Sequence, residues 1–157
     1  MGKSAVVFPG QGVQTVGMGK EIHDAFPEAR EIMGRAGEVL GMDLKALMFE
    51  GPQDTLTETV NAQPAILTVN YAFFRLARRK VDSFRGTAGH SLGEYNALVA
   101  AGALSFEDAL IAVRERGRLM QEIGAKTEGT MAAVLGLEEE KLEEVCRRAG
   151  DTGPVEI

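Results

Sequence analysis

A serine flanked by spaced glycines, Gly89-His90-Ser91-Leu92-Gly93, carries the strongest chemical signal in the chain. The pattern G-x-S-x-G suits a sharp strand-to-helix turn. Its glycines admit close backbone approach, and its serine hydroxyl is pushed out at the top of a sheet. The helix behind such a turn aims free N–H groups at the same spot, so the Leu92 N–H can help bind a developing oxyanion. A structural serine in a tight turn leaves the same local pattern, and context separates the two. Pro9-Gly10-Gln11-Gly12 is the second signal. It follows a short apolar run, and loops at strand carboxyl ends are where α/β sheets place ligands. Gln11, between Gly10 and Gly12, can offer a side-chain or backbone N–H to a substrate; a glycine turn with an exposed glutamine reads the same way. Arg116 is the third. It falls within an apolar stripe of Ala109, Leu110, Ala112, Val113, Leu119, Met120 and Ile123, whereas Arg114 and Arg118 have better claims to solvent. An inward arginine needs an anion or several acceptors. A substrate carboxylate gripped by two parallel N–H bonds would meet that need, as would a protein carboxylate.

These residues need elements to position them. Ala5-Val6-Val7-Phe8 reads as a buried strand stopped by the Pro9 loop. Helical spacing is expected over residues 16–25 and from Pro27 to a stop at Gly41, with a short helix over 44–49 broken by Gly51-Pro52. A long helical pattern starts at Pro64 and is closed by Arg78, Arg79 and Lys80. A strand over 85–89 leads into Ser91, and a helix follows to Gly102. Ser105, with Asp108 three residues on, reads as the N-cap of a helix to about Ile123. Residues 124–129 read as a linker. A strand over 131–135, a helix over 138–148, a turn at 151–154 and a strand starting at Val155 come after it. This order indicates an α/β protein with a parallel sheet.

Composition narrows the class. The 157 residues are 45% hydrophobic and 25% charged, ordinary for a soluble globular protein. No apolar run approaches the ~20 residues of a membrane span, and MGKSAVVF lacks a secretory block, so no membrane role is expected. A single cysteine, Cys146, excludes an internal disulfide and fits the cytoplasm. The net charge of -6 argues against a nucleic-acid partner. Arg75, Arg78, Arg79 and Lys80 form a local basic cluster that suits either a helix end or an acidic partner.

The strings FPGQGVQTVGMG, NAQPAIL, AGHSLGEYNALVAAGALSFEDAL, RERGRLMQE and GTMAAVLGL occur in this order. Together they resemble the amino-terminal half of malonyl-CoA:acyl carrier protein transacylases of fatty acid synthesis. Acyltransferase domains of polyketide synthases share a looser version. The resemblance implies an α/β-hydrolase-like acyltransferase core, incomplete, over residues 1–126. It also implies the start of a ferredoxin-like subdomain over 127–157. It implies a two-step transfer in which Ser91 attacks the malonyl thioester, Gln11 and Leu92 bind the oxyanion, and Arg116 binds the malonyl carboxylate. The thiol of the carrier protein's phosphopantetheine arm then collects the malonyl group. Malonyl-CoA and holo acyl carrier protein are thus the expected substrates and partners, with no metal and no permanently bound cofactor. His90 leaves the turn in another direction and is expected to hydrogen-bond and brace the elbow; His23 is expected to face solvent. The family's catalytic histidine lies beyond these motifs, and family members run to about twice this length. A fragment without activity of its own, or a subunit completed by a second chain, therefore stands beside the enzyme reading. A nucleotide-binding domain fits poorly, because Thr15 occupies the third glycine position after Gly10 and Gly12, and Gly2-Lys3-Ser4 lacks the rest of a phosphate loop. A serine hydrolase shares the elbow but not the inward arginine.

Overall fold

A computed structural model describes residues 4–81, 83–126, 129, 132 and 134–155. Its contacts divide the chain into two compact units, Met1–Thr127 and Glu128–Ile157. The first unit is α/β and mostly helical. It runs β1 (Ala5–Phe8), α1 (Lys20–Ala25), α2 (Pro27–Leu40), α3 (Leu44–Glu50), α4 (Gln53–Thr57), α5 (Thr59–Ala77), β2 (Gly86–Gly89), α6 (Gly93–Ala100) and α7 (Phe106–Lys126). The described part of the second unit holds one helix, α8 (Glu139–Ala149), with no buried residue.

The two strands are parallel, in register from Ala5 opposite Gly86 to Phe8 opposite Gly89. Level carboxyl ends bring the Pro9 loop and the Ser91 turn out at the same edge of the sheet. Helix α5 is the central beam. Ala65, Ile66 and Val69 pack with Ile32, Met33 and Ala36 of α2 and with Ala109, Leu110 and Val113 of α7. Each large side chain buried this way stabilises the fold by about 1.5–3 kcal/mol. A smaller cluster of Phe8, Phe74 and Ala97 joins β1, α5 and α6, with the two phenyl rings edge-on at 5.8 Å. Polar ties fix the same junction. Asn96 Nδ2 donates to the Leu67 carbonyl at 3.0 Å, and Asn70 Nδ2 donates to Asn96 Oδ1 at 3.1 Å and to the Pro9 carbonyl at 3.3 Å. One asparagine on α5 therefore holds both the end of β1 and the helix behind Ser91.

Several boundaries differ from the sequence reading. Helix α1 begins at Lys20 rather than near Val16, because Gly17 and Gly19 adopt positive φ and the Gly17 N–H is taken by the Met48 carbonyl at 2.8 Å. Helix α5 begins at Thr59, with Pro64 inside it. Pro64 costs the Val60 carbonyl its usual donor, but the N–H groups of Asn61 and Ala62 both close on the Glu58 carbonyl, and the added turn buries Ala62 and Gln63. Helix α4 was not expected. Helix α7 runs to Lys126, through the start of the expected linker. Its apolar stripe is buried at Ala109, Leu110 and Val113 but exposed at Leu119, Met120 and Ile123, the last at 63%. The reason is geometric: α7 crosses the start of α5 at Gly117 and runs on past it. His23 is half-buried, its ring edge-on to Phe49 at 5.1 Å. Of the expected strand at 131–135, Ala132, Val134 and Leu135 are described and none of them is in a strand, whereas residues 131 and 133 lie outside the described residues, as do 156 and 157 of the strand expected to start at Val155. Among the described residues no helix is long and apolar enough to cross a membrane.

Candidate active site

Ser91 stands between β2 and α6 with φ of 53°, the one non-glycine at positive φ among the described residues. An L residue in that region carries about 1–2 kcal/mol of strain, so the surrounding backbone must impose it. The glycines show how. A Cβ on Gly89 would lie 2.0 Å from the Gly93 carbonyl carbon, and a Cβ on Gly93 would lie 2.4 Å from the Phe8 carbonyl oxygen. Strand β2, the start of α6 and the end of β1 therefore touch backbone to backbone, leaving the chain at Ser91 only a tight bend. Leu92 is fully buried behind the turn, while Ser91 is exposed.

The Pro9 loop lies against this bend. A Cβ on Gly10 would meet the His90 carbonyl oxygen at 2.6 Å and His90 Nδ1 at 2.9 Å. Gln11 is thus held one residue away from the contact with His90, the neighbour of Ser91. The Gln11 side chain turns elsewhere: its Nε2 donates to Thr59 Oγ1 at 3.3 Å. Gly12 has φ of 114° and donates its N–H to Gln14 Oε1 at 2.8 Å. Among the described residues, neither the Gln11 N–H nor the Leu92 N–H has a protein acceptor. Two unspent donors, one on the residue after Ser91 and one in the loop packed on His90, are of the kind that can bind a transient negative oxygen.

Arg116 reaches the site from α7. It is half-buried, and its Nη2 donates to Ser91 Oγ at 2.9 Å. Its neighbours are engaged elsewhere. Arg118 binds Glu115 and Glu122, and its pKa is raised chiefly by the Glu115 hydrogen bond. Arg114 leans on the Met42 sulfur. Gly117 lets α7 come this close, since a Cβ there would sit 2.7 Å from the Thr59 carbonyl oxygen. The basic cluster is largely paired within the fold: Arg75 and Arg79 both grip Glu28, and Arg78 lies 5.0 Å from the Phe84 ring centre.

The structure therefore brings Ser91, Leu92, Arg116 and the Gln11 loop together. It places the exposed His90 ring over Gly10, and the side-chain hydrogen bond expected of His90 is not made among the described residues, so the ring meets the Pro9 loop by contact alone. Sequence reasoning missed Thr59, Asn70 and Asn96. Asn96 had a visible signal, a polar residue among Ala97, Val99 and Ala100; Thr59 had none, being an ordinary helix-start residue. An apolar groove of about 330 Å³ along β1, lined by Val7, Phe73, Phe74 and Phe84, contains none of the four site residues. Among the described residues no group of His, Cys, Asp or Glu is placed to hold a metal ion.

Comparison with known proteins adds to this geometry. The family described as the acyl transferase domain matches residues 5–151. A malonyl CoA-acyl carrier protein transacylase of Bacillus subtilis is 48% identical over 153 residues, covering 98% of this chain and 48% of the relative. The solved acyl-carrier-protein-S-malonyltransferase of Bartonella henselae superposes with a TM-score of 0.88 at 41% identity, covering 98% of this chain and 50% of that one. A malonyl-transacylase solved in complex with its type II PKS acyl-carrier protein gives 0.87 at 41% identity, covering 96% and 49%. The chain spans about half the length of the relatives it matches.

Proposed function

The chain belongs to the acyl transferase domain family, and from that premise we propose that its site moves a malonyl group from malonyl-CoA to the pantetheine thiol of a holo acyl carrier protein, in the cytoplasm, through a malonyl ester on Ser91. The observation that carries this reading is the 2.9 Å contact of Arg116 with Ser91 Oγ. It sets a fixed positive charge within one acyl group's length of a nucleophile, where a free carboxylate on the acyl chain would meet it. Ser91 Oγ attacks the thioester carbonyl. The carbonyl electron pair moves onto oxygen, facing the Gln11 and Leu92 N–H groups, and returns as the C–S bond breaks and CoA leaves as the thiol. The carrier thiol then attacks the ester by the same path in reverse, restoring the serine hydroxyl. The malonyl carboxylate competes with Ser91 for the Arg116 guanidinium, so correct binding also frees the hydroxyl.

A serine hydroxyl is a weak nucleophile until a base takes its proton. The chain has two histidines. His23 lies on α1 against Phe49, and His90 lies over Gly10. We assign the base to the region by which the relatives exceed this chain. The same region would complete an α/β-hydrolase-like core and a ferredoxin-like subdomain, covering apolar groups such as Ile123 and Val7, 63% and 72% exposed. A second reading follows: residues 1–157 alone bind substrate but turn over slowly.

Intact-mass measurement after incubation with malonyl-CoA tests both readings. The expected result is a malonyl adduct on Ser91, absent from Ser91→Ala, and delivered efficiently to holo carrier protein only when the longer polypeptide is used. Fatty-acid and polyketide carriers should both be tried as acceptors. Fast turnover by residues 1–157 alone would overturn the assignment of the base and return attention to His90.

A further inference from the structure

We infer that Thr59 is a positioning residue for acyl transfer, one that sets the Gln11 backbone N–H by anchoring the Gln11 side chain. The inference rests on the functional reading above and goes beyond it by dividing the work of Gln11 between two groups. The Gln11 amide is committed sideways, to Thr59 Oγ1 at 3.3 Å, while its backbone N–H has no acceptor among the described residues. Gln11 sits between glycines, and Gly12 is at φ of 114°. A loop of this kind has wide backbone freedom, and a donor that must be aimed before the charge develops cannot be left to wander. The side-chain anchor removes that freedom.

The anchor is itself built in. Thr59 opens α5, the central beam of the first unit, and its carbonyl oxygen lies where a Cβ on Gly117 would come within 2.7 Å. Gly117 follows Arg116 directly. The backbone of Thr59 is therefore pressed against the turn of α7 that carries the carboxylate-binding arginine, while its side chain holds the oxyanion loop. The two arms of the site, one for the thioester oxygen and one for the malonate end, are registered through one residue.

The experiment uses the intact natural polypeptide and follows acylation of Ser91 by malonyl-CoA. Thr59→Val keeps the shape and removes the acceptor; Thr59→Ala serves as the second variant where valine disturbs the start of α5. The expected loss is about 3- to 10-fold in kcat, the worth of one neutral hydrogen bond, with KM and thermal midpoint nearly unchanged. Thr59→Ser, which restores the hydroxyl, should recover most of the rate. Gln11→Ala should lose a similar factor, and the Gln11→Ala, Thr59→Val double variant should be no slower than the worse single one. Wild-type kcat in Thr59→Val and Thr59→Ala, or losses that multiply in the double variant, would overturn the inference while leaving malonyl transfer standing. No malonyl adduct on Ser91 in the wild-type protein would overturn the functional reading, and the role of Thr59 with it.

Discussion

Replacing Arg116 with alanine should separate malonyl from acetyl transfer, and the structure sets the size of the effect. The guanidinium already lies 2.9 Å from Ser91 Oγ. In a malonyl ester the carboxylate carbon is three bonds from that oxygen, at roughly 1.5 Å per bond, so it falls within about 4 Å of Oγ, and the guanidinium can meet it at an ion-pair distance of about 4 Å. A unit charge pair at that distance is worth about 4 kcal/mol at the effective dielectric of a protein surface. Arg116 is only half-buried, and solvent screening reduces that figure. A charge-assisted pair of hydrogen bonds in such a site is worth about 2–3 kcal/mol. Arg116→Ala should therefore lower kcat/KM for malonyl-CoA on the order of 30- to 150-fold. Acetyl-CoA has no carboxylate to lose, and its kcat/KM should change by less than about threefold, one weak hydrogen bond at most. The assay is acyl transfer to holo carrier protein with each thioester under identical conditions. Equal losses for the two acyl groups would show that Arg116 supports the fold and not the substrate, and would refute the argument from its contact with Ser91.

Two substitutions probe the backbone around the nucleophile. Ser91→Gly and Ser91→Ala should both be inactive, but the glycine variant should be the more stable by up to about 1 kcal/mol in denaturant unfolding, since only glycine tolerates φ of 53° without strain; equal stabilities would mean that the bend is unstrained. Gly117→Ala places a methyl group 2.7 Å from the Thr59 carbonyl oxygen and 2.9 Å from Val60 Cα. It should cost about 1–3 kcal/mol as overpacking, and malonyl transfer should fall as the Arg116 turn moves away from α5; an unchanged unfolding midpoint would show that the helices separate freely.

What the sequence disclosed and what it hid have different physical causes. Strand β1 was readable because four apolar residues end at Pro9-Gly10, and α2 because Pro27 and Gly41 bracket a regular apolar spacing. The Ser91 bend was readable because Gly89 and Gly93 mark it in one short local pattern, although only Gly89 answers to nearby backbone and Gly93 answers to the Phe8 carbonyl of β1. The start of α5 was not, since Pro64 ordinarily marks a first turn and only tertiary burial of Ala62 and Gln63 favours the earlier start. The end of α7 was misjudged for the opposite reason: Gly124 suggested a stop, yet the helix continues to Lys126. Arg116 could be picked out by its place in a stripe, although half that stripe proved exposed. Thr59 could not, because its importance arises from a contact with Gln11, 48 positions away.

The pairing of β1 with β2 joins residues near 5 to residues near 86, and this sets the order in which the chain can assemble. Closing a loop of about 80 residues costs on the order of 4 kcal/mol of chain entropy, whereas the contacts among α1, α2 and α3 are nearly local. The helices can therefore organise first, and α5 gives the strands a surface on which to meet. The bend at Ser91 needs the end of β1 beneath Gly93 and the Pro9 loop over His90, so it forms only with this long-range closure. During synthesis the first strand must wait, unpaired, until the second emerges. The nucleophile therefore takes its shape only with tertiary closure, and a chain in which β1 and β2 have not met presents a serine without this bend.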